Sequence, residues 1–162
     1  MVAVVLAGCG KEEETGNTTP VQVPEHFVNT PPDGVATPIP KARKLAPGSE
    51  VILSGRVMGV KVPFVEGRAL FVLGDEATIT PCNEMDDDHC AIPWDACCDP
   101  IEVRAAGTVS IQLLGKDGNV LPVGLKGVGG LKELSRVKVI GKVAPMSTEK
   151  GFVVNASKVF VE

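Results

Sequence analysis

From residue 50 onward, apolar side chains recur at about every second position in short runs broken by glycine, proline or charged residues. Residues 51–60 (VILSGRVMGV) and 68–74 (RALFVLG) predict two strands, rich in the side chains that pack on pleated surfaces. Alternation groups Ala69, Phe71 and Leu73 on one inward-facing side. Residues 108–114 and 119–125 flank Gly115-Lys116-Asp117-Gly118, and the Asp-Gly pair predicts a hairpin. Residues 126–134 hold too much glycine for a long helix, but one short turn at 131–134 can close them. Residues 136–143 and 152–161 then give two further strands, with Phe160 expected in the core. Short strands, glycines where tight curvature is needed and almost no helical period predict a small closed β-barrel, with a split β-sandwich as the alternative.

The pattern is absent before residue 49. Residues 11–48 carry prolines at 20, 24, 31, 32, 38, 40 and 47 among Thr, Asn and Glu, and they predict an extended tether. At ~3.1 Å per residue such a segment reaches on the order of 100 Å. His26, beside Phe27, is expected to be a solvated linker residue. The first eight residues (MVAVVLAG) are apolar or small and run into Cys9, after which the composition turns to Gly-Lys-Glu-Glu-Glu. Three parts follow: a truncated leader at 1–8, the Cys9 and Pro-rich tether at 9–48, and a barrel at 49–162 with an insertion at 81–100.

Leu6-Ala7-Gly8-Cys9 resembles the lipobox of bacterial lipoproteins, whose cysteine is acylated and whose preceding peptide is removed. The resemblance implies lipidation at Cys9, a membrane anchor and a place in the cell envelope. With Gly10 rather than Asp after the cysteine, it implies the outer membrane, facing the periplasm. A secretory leader has a positively charged start and ~7–15 apolar residues, so the true start is expected upstream of Met1.

The chain is acidic, with 16 Lys+Arg against 20 Asp+Glu, which argues against a strongly basic nucleic-acid binder. No apolar run approaches the ~18 residues of a transmembrane helix. The charge is uneven. Glu84, Asp86, Asp87, Asp88, Asp95 and Asp99 fall in one stretch that holds no Lys or Arg.

That stretch also carries the remaining cysteines, Cys82, Cys90, Cys97 and Cys98, with the spacing C-x7-C-x6-C-C. Five cysteines thus divide into one plus four, and in an oxidising compartment four thiols predict two disulfides that staple a loop poor in apolar residues. A bond between adjacent Cys97 and Cys98 is strained, so Cys82 and Cys90 are each expected to pair with one of them, in either combination. The alternative is a zinc or copper site formed by Cys82, His89, Cys90, Cys97 and Cys98. The spacing lacks the paired C-x2–4-C knuckles of zinc sites, and neighbours such as Cys97 and Cys98 do not easily supply two tetrahedral ligands. Asp86-Asp87-Asp88 lacks the ligand alternation and glycine of an EF-hand and reads as a solvated acidic loop. Trp94, the sole tryptophan, is expected to pack against a disulfide as a miniature core rather than to project toward a ligand.

The order of elements, with Ser54-Gly55-Arg56 and Ile140-Gly141-Lys142 as glycine kinks, resembles the OB-fold. Pro93-Trp94-Asp95-Ala96-Cys97-Cys98 is similar to a Cys-rich (PWDxCC) insertion of uncharacterised bacterial lipoproteins bearing such a domain. The expected class is therefore all-β: a small five-stranded OB-like Greek-key barrel with a short helical connector and a disulfide-rich loop insertion. The resemblance implies a binding module whose partner is a protein or an oligosaccharide.

Single-stranded nucleic acid is the lesser expectation. Arg56, Arg136, Lys138 and Lys142 are placed on one outer face and, with Trp94, form a candidate ligand surface, but a solvated face is the commoner meaning of such a stripe. No catalytic residue is expected. His89 adjoins Cys90, whose side chain points the other way on an extended segment, and no hydrolase elbow, phosphate loop or His-Glu-x-x-His helix is present. Gly127-Val128-Gly129-Gly130 lacks the lysine of a phosphate cradle. No cofactor is expected.

Overall fold

In a computed structural model of the chain, residues 24–86, 90–148 and 150–162 are described. The expectations for the leader, for Cys9 and for His89 lie outside these residues. Five strands form the sheet: β1 (Glu50–Arg56), β2 (Leu70–Gly74), β3 (Thr108–Leu113), β4 (Arg136–Val143) and β5 (Val153–Val161). They close into a barrel in the order β1-β2-β3-β5-β4. All neighbours are antiparallel except β3 and β5, which run parallel from Ser110↔Val153 to Leu113↔Ala156. The result is a small all-β, OB-like barrel. Closure leaves no open sheet edge, which removes the hazard of unpaired backbone groups in so short a sheet.

Two glycines let the strands approach closely. A Cβ on Gly55 would lie 2.2 Å from the Gly74 carbonyl oxygen, where β1 meets β2, and one on Gly141 would lie 2.4 Å from the Asn155 oxygen. Beside Gly141 the register slips: Ile140 pairs with Lys158 and Gly141 with Ala156, so Ser157 bulges out and donates its hydroxyl to the Ile140 carbonyl. The bulge shifts the alternation of β5 by one position. Val154 and Ala156 point inward before it and Val159 after it, while Phe160, expected in the core, is only half-buried.

The barrel is filled by Leu53, Phe71, Leu73, Ile111, Val139 and Val154, and Leu125 and Leu131 are buried in the same core. Ala69, Phe71 and Leu73 all point inward as the alternation requires.

The predicted hairpin forms only at its tip. Leu114 bridges Val120 and the Leu121 N–H donates to the Leu113 carbonyl, but beyond Leu113 that edge of β3 is already filled by β2. The Leu121 carbonyl also accepts the Ala69 N–H, and Pro122 has no N–H to continue a ladder. The connector turn is a 3-10 turn at Val128–Gly130 rather than at 131–134, made possible by positive φ at Gly127, Gly129 and Gly130.

The stretch expected to be an extended tether lies on the barrel from residue 24 to 48. Val28 N–H and Val159 N–H exchange hydrogen bonds with Val159 and His26 carbonyls, and a short helix α1 (Ile39–Ala42) buries Ile39 and Ala42 completely. Arg43 follows, stacked 5.5 Å from the Phe152 ring centre and donating to the Ala105 and Thr108 carbonyls. Burial lowers its pKa from the ordinary arginine value. Proline content marked this segment as non-repetitive, but its few apolar residues are enough to fix it.

Candidate functional site

The insertion joins β2 to β3 and is folded rather than extended. Thr80 N–H donates to Asp99 Oδ2 at 2.9 Å, Cys82 N–H to the Asp95 carbonyl at 2.7 Å and Asn83 N–H to the Pro93 carbonyl at 2.9 Å. These bonds hold the two ends of the loop side by side. A second small core lies beneath, where Met58, Ile79 and Ala96 are fully enclosed with Trp94, Val103 and Leu134 packed around them. Trp94 thus packs into a small core, formed by Met58, Ile79 and Ala96 rather than by the disulfide expected beneath it. After the cysteines comes a helix that the strand pattern did not reveal, α2 (Ile101–Gly107), entered through Pro100. Its signals were Pro before the first turn, Glu102 near the N-terminus and two alanines.

Trp94 clasps the chain where β1 breaks off. Its carbonyl accepts the Gly59 N–H at 2.9 Å and its indole Nε1–H donates to the Lys61 carbonyl at 3.1 Å. The chain then re-enters the sheet through a bridge between Phe64 and Phe71. Between this connection, Trp94 and residues 124–126 opens a cleft of about 420 Å³. Phe64 and Leu125 form its apolar floor and Val62 stands 70% exposed at its rim. Its charges are Lys61, Glu66 and the ion pair of Lys126 with Glu133 at 2.6 Å. Burial raises the Glu133 pKa, but the hydrogen bond from Lys126, a backbone bond and the lysine charge together outweigh it, leaving the carboxyl below its ordinary value. Of the lining residues, sequence reasoning singled out only Trp94. An apolar Val-Pro-Phe-Val between two charged residues was the available signal for the rest.

The four cysteines converge at the loop's open side. Their sulfurs all lie within 4.8 Å of one another, with Cys82 buried and Cys97 and Cys98 exposed. Cys90 Sγ is 2.7 Å from Cys97 Sγ and 3.9 Å from Cys98 Sγ, and Cys82 Sγ is 3.5 Å from Cys97 Sγ. These separations bring the sulfurs close together but lie beyond the ~2.05 Å of a disulfide. Hydrogen bonding to Cys97, then to Cys82, raises the Cys90 pKa, the opposite of what a thiolate nucleophile requires. Adjacent cysteines are not expected to supply two ligands easily, but a turn closed by Asp99 N–H on the Ala96 carbonyl brings the sulfurs of both Cys97 and Cys98 into the cluster.

The basic stripe is present but internally matched. Arg56 faces Arg136 across β1 and β4, and Lys138 and Lys142 lie further along the same side of β4. Glu76 approaches both arginines, at 3.1 and 3.0 Å, which relieves the like-charge pair. Arg56 also donates to Glu84 of the insertion, Lys138 to the Gly34 carbonyl, and Lys142 lies 3.7 Å from Glu50. The Glu76 hydrogen bond raises the Arg136 pKa. Several acids of the insertion are therefore engaged: Glu84 on Arg56, Asp95 on the Ala96 N–H and Asp99 on the Thr80 N–H.

No family model, curated protein or solved structure matches the chain.

Proposed function

We propose that this chain is a lipid-anchored protein of a bacterial cell envelope, held at the outer membrane and facing the periplasm, that works as a non-catalytic binding module. The anchor rests on Leu6-Ala7-Gly8-Cys9. The observation that carries the binding role is the cleft, built where the β1–β2 connection, Trp94 and residues 124–126 meet. OB barrels use this connection to grip oligonucleotides and oligosaccharides. Here aromatic and aliphatic surface is flanked by balanced charges, and the two arginines of the basic stripe are paired with Glu76. An uncharged extended ligand, an oligosaccharide or a peptide segment of a partner protein, suits that surface better than a polyanion.

Trp94 is the only tryptophan and borders the cleft, so its emission reports occupancy directly. Titration with cell-wall oligosaccharides and with envelope-derived peptides is expected to shift the emission for one of the two classes, and Val62→Glu is expected to abolish the shift. Silence toward both classes, with a response to single-stranded nucleic acid, would overturn the proposal.

A further inference from the structure

We propose that Cys82, Cys90, Cys97 and Cys98 together hold one zinc ion as a four-thiolate site. The inference is independent of the cleft's ligand. It starts from the way the sulfurs share neighbours. Cys97 Sγ lies near both Cys82 and Cys90, and Cys90 Sγ lies near both Cys97 and Cys98. A sulfur can join only one disulfide, so two bridges would use some of these approaches and leave the others as mere crowding. A central ion uses all four sulfurs at once. Zinc–sulfur bonds of ~2.3 Å in a tetrahedron place sulfurs about 3.8 Å apart. The 3.5 and 3.9 Å separations already match, and Cys90 and Cys97 part by about 1 Å to admit the ion.

The scaffold presets most of this geometry. Cys82 is buried, with its N–H fixed on the Asp95 carbonyl, and Cys97 and Cys98 are presented together by the turn after the buried Ala96. The donor set is soft sulfur, which suits zinc rather than calcium or magnesium. Nearby carboxylates at Glu84, Asp95 and Asp99 are engaged elsewhere.

Binding is not a redox step. Each of the four S–H groups gives its proton to solvent and each sulfur donates an electron pair to the zinc ion, so four thiols and one divalent zinc ion yield a site of charge 2−. The ion would close the insertion, and because Trp94 lies three residues before Cys97, it would also fix the clasp on Gly59 and Lys61 that forms a cleft wall.

The test is metal analysis of the full chain purified from the envelope, together with intact mass after chelation and alkylation in denaturant. The expected result is one zinc per chain and alkylation of all four thiols. Replacement by cobalt is expected to give the visible absorption of tetrahedral thiolate coordination. Cys97→Ser and, separately, the exposed-site variant Cys98→Ser are expected to lose the metal to a competing chelator while far-ultraviolet dichroism keeps the barrel signature. A metal-free chain lighter by four hydrogens, a different metal in the site, or zinc retained equally by both variants would each overturn the proposal.

Discussion

Asp75 Oδ2 accepts the backbone N–H of Ile39 at 2.8 Å, joining the end of β2 to the first residue of α1 across 36 positions of sequence. The same carboxylate takes the Ala77 N–H through Oδ1 at 2.9 Å, and Asp75 is 6% exposed. One buried acid therefore both caps a turn and docks the segment that precedes the barrel. Asp75→Ala is expected to lower unfolding free energy by roughly 2–4 kcal/mol, since two bonds to a charged acceptor are lost and buried donors are stranded. Chemical denaturation measures the loss, and amide exchange is expected to rise first across residues 37–45. A change below the error of the denaturation curve would show that the docking contributes nothing.

Close backbone approach at the barrel seam gives a second expectation. Gly141→Ala places a methyl group against the Asn155 oxygen and the Val154 side chain, at a position where the backbone cannot yield without opening the β4–β5 ladder. A loss of about 3 kcal/mol is expected, a fall in Tm on the order of 10 °C. Gly124→Ala is the control, because its nearest neighbour would be 3.6 Å away and no positive φ is required. Calorimetry on the two variants separates crowding from the general effect of replacing glycine.

Acid weakens the rim of the cleft. Glu133 has its folded pKa depressed by Lys126, so the pair contributes stability above the ordinary glutamate value of about 4.3, and that contribution is lost as pH falls through the lower folded value. Lys126 is well exposed, which limits the pair to less than about 1 kcal/mol. Lys126→Met is expected to be slightly less stable than the parent at pH 7 and indistinguishable from it once Glu133 is protonated in both. A difference that persists in acid would assign the effect to lysine's aliphatic packing instead.

The matched basic stripe makes a prediction about polyanions. The parent protein is expected to show weak affinity for single-stranded oligonucleotides, and Glu76→Gln with Glu84→Gln is expected to raise it by freeing Arg56 and Arg136. The gain should fall with salt, with a log–log slope of about −0.7 for each phosphate contacted. Fluorescence anisotropy at two salt concentrations decides this. Tight, salt-sensitive binding by the parent would mean that the internal carboxylates do not screen the stripe.

Much of the barrel was legible because strand pairing follows a two-residue period that the sequence carries openly. The inward trio Ala69, Phe71 and Leu73 and the glycine kinks at 55 and 141 are local features, and each sits where its neighbours in sequence imply. Phe160 was misplaced because the bulge at Ser157 depends on the partner strand. The second arm of the hairpin failed for a similar reason: its local pattern was sound, but β2 already held the edge it needed. Residues 24–48 were read as free because composition weighs prolines and cannot weigh a distant acceptor such as Asp75.

By itself, then, the sequence determined the all-β class, the lipobox resemblance at Cys9 and the gathering of four cysteines into one insertion, since all of these rest on period, motif and spacing. Only the tertiary structure decided that the arginines are answered by Glu76 and Glu84, that Trp94 clasps the break in β1 to form a cleft, and that Cys97 and Cys98 face the same point. Those outcomes depend on backbone carbonyls and carboxylates brought together from far along the chain, and on one turn at residues 96–99 whose direction no local period records.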